Sequence, residues 1–550
     1  MRLGRLSHLP FLVMWVAELV IGLAVFREYG LSWDEPLFYE YGEALGYAYQ
    51  PAHWFRPDFD LTQAYGPSPD DHKNRGPAYL VLMRLPVRWL TALGLERAAA
   101  WHLVNFLTFL LGVAWVYRLS LRWMSEPAAL GAAMLFSTQP LLWGHAFINP
   151  KDMPFLVFFL GALVFGFELV DRQIAASPSV GVGRVRSIWF PAFLLGSATA
   201  MRILAPLAGL LVILYAAVRY AQARCASTSP KPSLAWLSVS LLTYWLLAAL
   251  FTLILWPYLW EAPIRHFVQV FLFMAENPTG LQVLFDGQAY RAFDLPRRYL
   301  PTLLALTLTE PIWPLFGLGL VTALWRGFWS WRRSRPAEGH APARPALSAD
   351  YWLALTAFFL PFFYVLLVRP PMYDGFRHFL FILPPAFVTC GLGIETLLRA
   401  LRQALPNVLG HLVGVGLILL LALPGIWATT RLHPYSYSYY NAWIGGTGGA
   451  FRRFETEYWL TCYKEAVEQI NTAYPQARLF VHREAYIAAA YAAPGLTVLE
   501  ARGNRSQIRS GDLILVNSRL NEDRKTFRDA PILFTIGREN AVFCVVKQVP

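Results

Sequence analysis

The stretch PAYLVLMRLPVRWLTAL, Pro77 to Leu93, sets the orientation of everything that follows it. It is about long enough and apolar enough to cross a bilayer as a helix. It also carries Arg84, Pro86 and Arg88 near its middle, and central arginines in lipid cost about 2.5–3.5 kcal/mol each. Eleven other apolar stretches read as spans: 9–28, 98–118, 127–145, 153–170, 188–201, 203–219, 234–256, 299–326, 351–368, 378–398 and 408–428. If 77–93 lies in the interface, the cytosolic segments hold seventeen Lys or Arg, and the short opposite loops hold four: Lys151, Arg202, Arg369 and Arg377. If 77–93 crossed, every later loop would invert and the basic bias would reverse. The segment therefore reads as an interfacial helix on the outer face. The short pair 188–201 and 203–219 counts as two crossings, because basic loops flank it on both sides.

Composition agrees. Of the 550 residues 56% are hydrophobic and the mean hydropathy is +0.39, an apolar share that soluble domains seldom reach. The net charge of +12 belongs to topology-fixing cytosolic loops; no basic helix or RNA-binding signature points to nucleic acid. Four cysteines, Cys225, Cys390, Cys462 and Cys544, include no C-x-x-C pair, so metal–cysteine and redox motifs are unsupported. No small-residue cleavage site follows the first apolar run, so no cleavable signal peptide is read. Residues 332–348 read as a flexible cytosolic loop.

Three regions outside the membrane are then large: 29–97, 257–298 and the tail. The chain divides into a transmembrane module, 1–430, and an extracytoplasmic α/β domain, 431–550. In the tail, the short runs ARLFVH, LTVLEA, GDLILVN, PILFTI and AVFCVV read as strands, beside a helical stretch at 455–473. Cys462 and Cys544 share this domain, and their pairing is left open.

Four stretches carry candidate chemistry. SWDEP, Ser32 to Pro36, places Asp34 and Glu35 where the chain leaves the first span. Either carboxylate suits the start of a helix at Pro36, and a carboxylate held there is also well oriented for chemistry. HAFINPKDMPF, His145 to Phe155, is a tight reversal that sets Lys151 beside Asp152, as a local ion pair or as a lysine aimed at an anionic head group. RPPMYDGFRHFLFILPP, Arg369 to Pro385, places Arg377 and His378 where a span begins. Arginine suits phosphate because its planar fork donates two parallel hydrogen bonds; Arg202 is a similar candidate. The fourth stretch begins HPYSYSYYN at His433, a tyrosine-dense turn that reads as an interfacial belt or as a sugar-stacking surface. Its GGTGG fits neither nucleotide-binding glycine pattern. Glu18, inside the first span, is expected to pair within the bundle.

In this order, these stretches resemble the GT-C superfamily of membrane glycosyltransferases, and most closely its family 39, protein-mannosyltransferase-like branch in bacteria. WDEPLFYEYG looks like the family's Asp-Glu pair in the first outer loop. NRGPAYLVLMRLPVRWLTALG is similar to its juxtamembrane segment, which usually begins with Lys or His and two prolines; here Gly76 replaces the first proline. FINPKDMPF, FRHFLFILPP, HPYSYSYYN and FETEYW match other stretches, and the likeness covers roughly 9–470. It implies a polytopic α-helical protein of GT-C type in the bacterial inner (plasma) membrane. It implies transfer of a sugar from a polyprenyl-phosphate donor to a protein, lipid or glycan acceptor on the outer face, with inversion. Asp34 is then the expected general base, and Glu35 orients the acceptor or helps hold Asp34. Arg377, His378, Lys151 and Arg202 are the candidates for the donor phosphate, and Asp152, Tyr439 and Asn441 for other substrate contacts. No metal ligand set is read, though some GT-C members need a divalent metal. A transporter or lipid flippase is the alternative.

Overall fold

The computed structural model describes residues 8–175, 182–225, 232–276, 279–333 and 349–550, and each of the eleven apolar stretches in it is helical. Among the described residues, seven helices are long and apolar enough to cross a membrane: Arg97–Ser120, Asp152–Ala175, Pro206–Cys225, Leu234–Leu255, Ala349–Val368, Arg377–Ala404 and Asn407–Leu432. The remaining stretches are Leu9–Val25, Val182–Thr199, the pair Glu126–Ser137 and Pro140–Ile148, and the pair Tyr299–Thr307 and Ile312–Arg333. The last pair corrects the expected straight span 299–326: its helices are bent by 107°. The break precedes Pro311, whose ring disfavours helical backbone at the residue before it.

Burial sorts the spans into two classes. In Arg97–Ser120, Asp152–Ala175 and Arg377–Ala404, 83%, 89% and 89% of the apolar window is buried, against 28% to 39% in 206–225, 234–255, 349–368 and 407–432. The first three form the centre of the bundle, and the others turn exposed leucines and valines outward as a lipid-facing ring. Loop charge predicted which segments share a side, and the ion pairs agree. At one end Arg122 pairs with Asp171 and Asp350, Arg118 with Glu168, and Arg399 with Glu395. At the other end Asp34, Asp152, Arg202 and Arg377 meet. Arg2, Arg5, Lys231, Arg335, Arg344 and most of the loop 332–348 lie outside the described residues.

Within the segment Pro77–Leu93 runs a separate helix, Ala78–Ala92, with Pro86 inside it. It leaves Leu85, Trp89 and the following Leu93 exposed, and its Arg88 pairs with Glu43 at 2.5 Å. Apolar and charged groups side by side suit a helix lying at an interface. Glu18 accepts a hydrogen bond from Ser137 in the neighbouring helix, a partner within the bundle as expected.

The region 257–298 holds the helix Pro263–Glu276 and a hairpin of β1 (Gln282–Phe285) and β2 (Gln288–Arg291). Each of the five short apolar runs of the tail forms a strand: β3 (Arg478–Val481), β4 (Thr497–Glu500), β5 (Leu513–Asn517), β6 (Ile532–Arg538) and β7 (Ala541–Gln548). Their order is β4-β3-β5-β7-β6. β3 runs parallel to β4 and β5, and β7 antiparallel to β5 and β6. Glu539 and Asn540, at φ +49° and +66°, form the two-residue turn between β6 and β7, where positive φ matches the twist of the strands. The expected helix 455–473 begins only at Cys462 and ends at Ala473. A disulfide joins Cys462 to Cys544 in β7, which closes the pairing the sequence left open.

Candidate active site

The loop after the first span is built by its second carboxylate. Glu35 is fully buried. It accepts the Ser32 backbone N–H at 2.6 Å and the Tyr39 hydroxyl, and it meets His102 Nε2 at 3.0 Å. These contacts close the turn into the helix Glu35–Ala44, a capping-box-like arrangement. Glu35 therefore holds the loop, with both its oxygens turned to partners within the protein. Asp34 occupies the N-cap position yet makes no capping bond. Its Oδ2 instead accepts from Arg377 Nη1 at 3.0 Å, and 26% of its side chain stays exposed.

The reversal at Asn149 is equally local in origin. The Asn149 side-chain oxygen accepts the backbone N–H of Lys151 and of Asp152, at 3.1 and 2.8 Å, which starts the helix Asp152–Ala175. Of the two readings of this pair, the local Lys151–Asp152 ion pair is not formed. Asp152 binds Arg202, and its Oδ2 accepts from Arg377 at 3.3 Å. Lys151 makes no ion pair among the described residues, and its ammonium lies 4.8 Å from the centre of the Phe38 ring.

Arg377 is hub-like. Asp374 and Gly375, at φ +55° and +67°, turn the chain so that Arg377 Nη2 lies 3.1 Å from Asp374 Oδ2. The guanidinium sits between the rings of Tyr373 and Trp459, 5.2 and 5.1 Å from their centres. Asp34, Asp152 and Asp374 engage its two Nη groups, while its buried Nε makes no hydrogen bond, so the charge expected to face a donor phosphate is met by carboxylates of the protein itself.

The cations with room in front of them line a different space. A cavity of about 230 Å³ has Asn74, Arg75, Lys151, Arg202 and His378 at its polar wall. Its other wall is Val270, Phe271 and Met274, from the helix Pro263–Glu276, with Tyr364. Phe271 and Leu272 of that helix, and Leu367 and Val368 after Tyr364, are exposed. The cavity is thus basic on one side and continuous with apolar surface on the other. Arg75 is the residue the sequence reading missed. Gly76 lets it come close: a Cβ there would lie 2.2 Å from the Ala200 carbonyl oxygen, so this loop packs directly on the turn that carries Arg202.

Burial works to raise the Asp34 carboxyl, but Arg377, Lys151 and Arg75 together outweigh it and hold it below the usual carboxylate range. Lys151 is driven well below the ordinary lysine range by burial and by Arg75, with Asp34 opposing. An anion entering the cavity would relieve that repulsion.

The tyrosine-dense turn points inward. Tyr435, Tyr437, Tyr439 and Tyr440 are all buried, and three of their hydroxyls donate, to Glu465, Glu457 and the Glu455 carbonyl. Asn441 is fully buried and ties the bent pair of helices by donating to the carbonyls of Ala305 and Leu308, at 2.7 and 2.9 Å. Tyr439 packs on Ala428 and Leu432, and the space it lines is only about 20 Å³, room for about one water. The expected sugar contacts of Tyr439 and Asn441 are therefore corrected to structural ones. No group of three or more His, Cys, Asp or Glu side chains placed to hold a metal occurs among the described residues.

The class this defines is a multi-pass membrane protein with a basic cavity between its helices and an aspartate held beside that cavity. No protein-family model matches the sequence, and no curated protein matches it. Among solved structures, ArnT from Cupriavidus metallidurans in the apo state is similar at 14% identity over 98% of both chains, with a TM-score of 0.46. The same protein bound to undecaprenyl phosphate aligns over 98% of both chains at 14% identity and a TM-score of 0.44. The Archaeoglobus fulgidus oligosaccharyltransferase in the apo form aligns at 15% identity over 88% of this chain and 64% of its own, with a TM-score of 0.47. At such identities and TM-scores, function is left to this chain's own residues.

Proposed function

We propose that this protein is a GT-C-type glycosyltransferase that moves a sugar from a polyprenyl-phosphate donor to an acceptor hydroxyl at the outer face of the membrane. The observation that carries the reading is the cavity. Arg75, Lys151, Arg202 and His378 gather on one wall and lipid-compatible side chains form the other, which suits a ligand that is a phosphate at one end and a hydrocarbon at the other. In the reaction the acceptor oxygen attacks the anomeric carbon from the face opposite the phosphate, which inverts that centre. The C1–O bond to phosphate breaks and its electron pair leaves on the polyprenyl phosphate. Asp34 takes the hydroxyl proton, a role worth typically 10²–10⁴-fold. The cationic wall stabilises the charge that grows on the leaving phosphate. Residues 1–430 form the membrane module and 431–550 an extracytoplasmic domain of a bacterial inner-membrane protein. The Cys462–Cys544 disulfide suits that side of the membrane.

The test is mass spectrometry of lipid-linked sugars in a strain lacking the protein. A blocked transfer leaves a polyprenyl-phosphate sugar unused, so one such species accumulates and disappears on complementation. An unchanged lipid-linked sugar profile would sink the reading.

A further inference from the structure

We infer that Arg519, from the C-terminal α/β portion, is a positioning residue for Asp34, so that the portion contributes to the transfer site instead of merely covering it. This rests on the glycosyl-transfer reading of Asp34. Arg519 follows β5 in a turn where Leu520 and Asn521 have φ +55° and +59°, and only 2% of its side chain is exposed. Its Nη1 lies 2.9 Å from Asp374 Oδ1 and donates to the Tyr458 carbonyl at 3.1 Å. Asp374 Oδ2 in turn meets Arg377 at 3.1 Å and accepts from the Trp459 indole at 3.1 Å. Arg377 then donates to Asp34. A second route is shorter: the Arg519 guanidinium lies 4.7 Å from the centre of the Trp33 ring, and Trp33 immediately precedes Asp34. The same portion grips that loop by its backbone. The Tyr486 hydroxyl donates to the Trp33 carbonyl at 2.8 Å, and the Tyr491 hydroxyl accepts the Leu31 N–H at 2.7 Å.

Asp374 is shared between two arginines. Without Arg519, its whole charge falls on Arg377 and draws that guanidinium off Asp34, while Trp33 loses the cation beside it. Arg519 does not line the basic cavity, so donor binding is spared and only the reacting geometry is lost.

The experiment uses full-length Arg519→Met, Arg519→Lys and Asp374→Asn proteins in nanodiscs. Binding is read with undecaprenyl phosphate, and turnover with the lipid-linked sugar isolated from the strain lacking the protein. For Arg519→Met, kcat is expected to fall about 100-fold, the scale of a small misplacement, with undecaprenyl phosphate affinity within about 3-fold of wild type. Arg519→Lys recovers part of the loss, and Asp374→Asn reproduces it. Turnover of Arg519→Met within about 3-fold of wild type overturns the inference. So does a parallel loss of turnover, phosphate binding and thermal stability in all three variants, which marks a plain structural brace. Wild-type protein that transfers nothing sinks the glycosyl-transfer reading itself, whereas wild-type transfer with an unaffected Arg519→Met sinks this role alone.

Discussion

At the scale of the residue, Asp34 and Glu35 are adjacent in sequence and divided in surroundings by burial. Glu35 spends both oxygens inside the protein, whereas Asp34 keeps part of its carboxylate exposed beside a cluster of cations. Asp34→Asn is expected to lower transfer by 10²–10⁴-fold while leaving undecaprenyl phosphate binding largely intact, measured as turnover against affinity on the same sample. The sign of the pH effect follows from the depressed carboxyl. Asp34 is already ionised at the bottom of the ordinary carboxylate range, so kcat/KM is expected to hold its plateau down through that range and to fall only below it. An acid limb that begins above that range as the pH falls would assign the base elsewhere. Much of this site was legible because loop residues of a membrane protein have few reasons to carry charge next to the bilayer; Lys151, Arg202 and His378 stood out for that reason. Arg75 did not, because it lies in a loop already rich in charge. Arg377 was legible as a charge at the site but its carboxylate partners were not, since a sequence shows an arginine's charge but not which carboxylates have claimed it.

At the scale of the element, hydrophobic length and turn chemistry predicted the apolar helices and the five strands of the tail, but not the helix Pro263–Glu276 or the β1–β2 hairpin, and the other departures have local causes. The stretch 299–326 is apolar throughout but broken before Pro311, and the buried Asn441 supplies hydrogen-bond donors to the carbonyls the break exposes. A buried carbonyl needs such a partner, so the asparagine reads as structural once the bend is known. The tyrosines of 435–440 were expected as an interfacial belt or a sugar-stacking surface and instead are buried, packed beneath the helix Pro140–Ile148. Gly144 is the contact point there: a Cβ would meet the Tyr437 backbone nitrogen at 2.3 Å. Backbone cannot swing aside as a side chain can, so Gly144→Ala is expected to destabilise the protein by about 1–3 kcal/mol. Gly317→Ala, which would place its Cβ in open space, serves as the neutral control in the same thermal unfolding measurement in detergent. Equal midpoints for the two variants would refute the close packing.

At the scale of the whole molecule, the C-terminal sheet is tied to the helices through residues 455–461 and is closed on itself by the Cys462–Cys544 disulfide, 82 residues apart in sequence. Loop closure of that length is worth about 4 kcal/mol. A Cys462→Ser, Cys544→Ser protein is therefore expected to unfold at lower temperature than wild type, and wild type treated with a reductant to approach it. A double variant as heat-stable as wild type would show that the cross-link adds nothing. What the amino-acid order settled was whatever depends on neighbours along the chain: which stretches are apolar enough to leave water for lipid, which loops lie at the same end of the bundle, and which short runs pleat into strands. These follow from transfer energies and turn preferences summed over a few residues at a time. Which charges cancel was settled in three dimensions. Arg377 and Asp34 are 343 positions apart, and Arg519 reaches the same cluster from a strand end still further along. An ion pair's worth depends on ångström-scale distance and on how much water has been excluded, and neither is written in the spacing of residues along the chain.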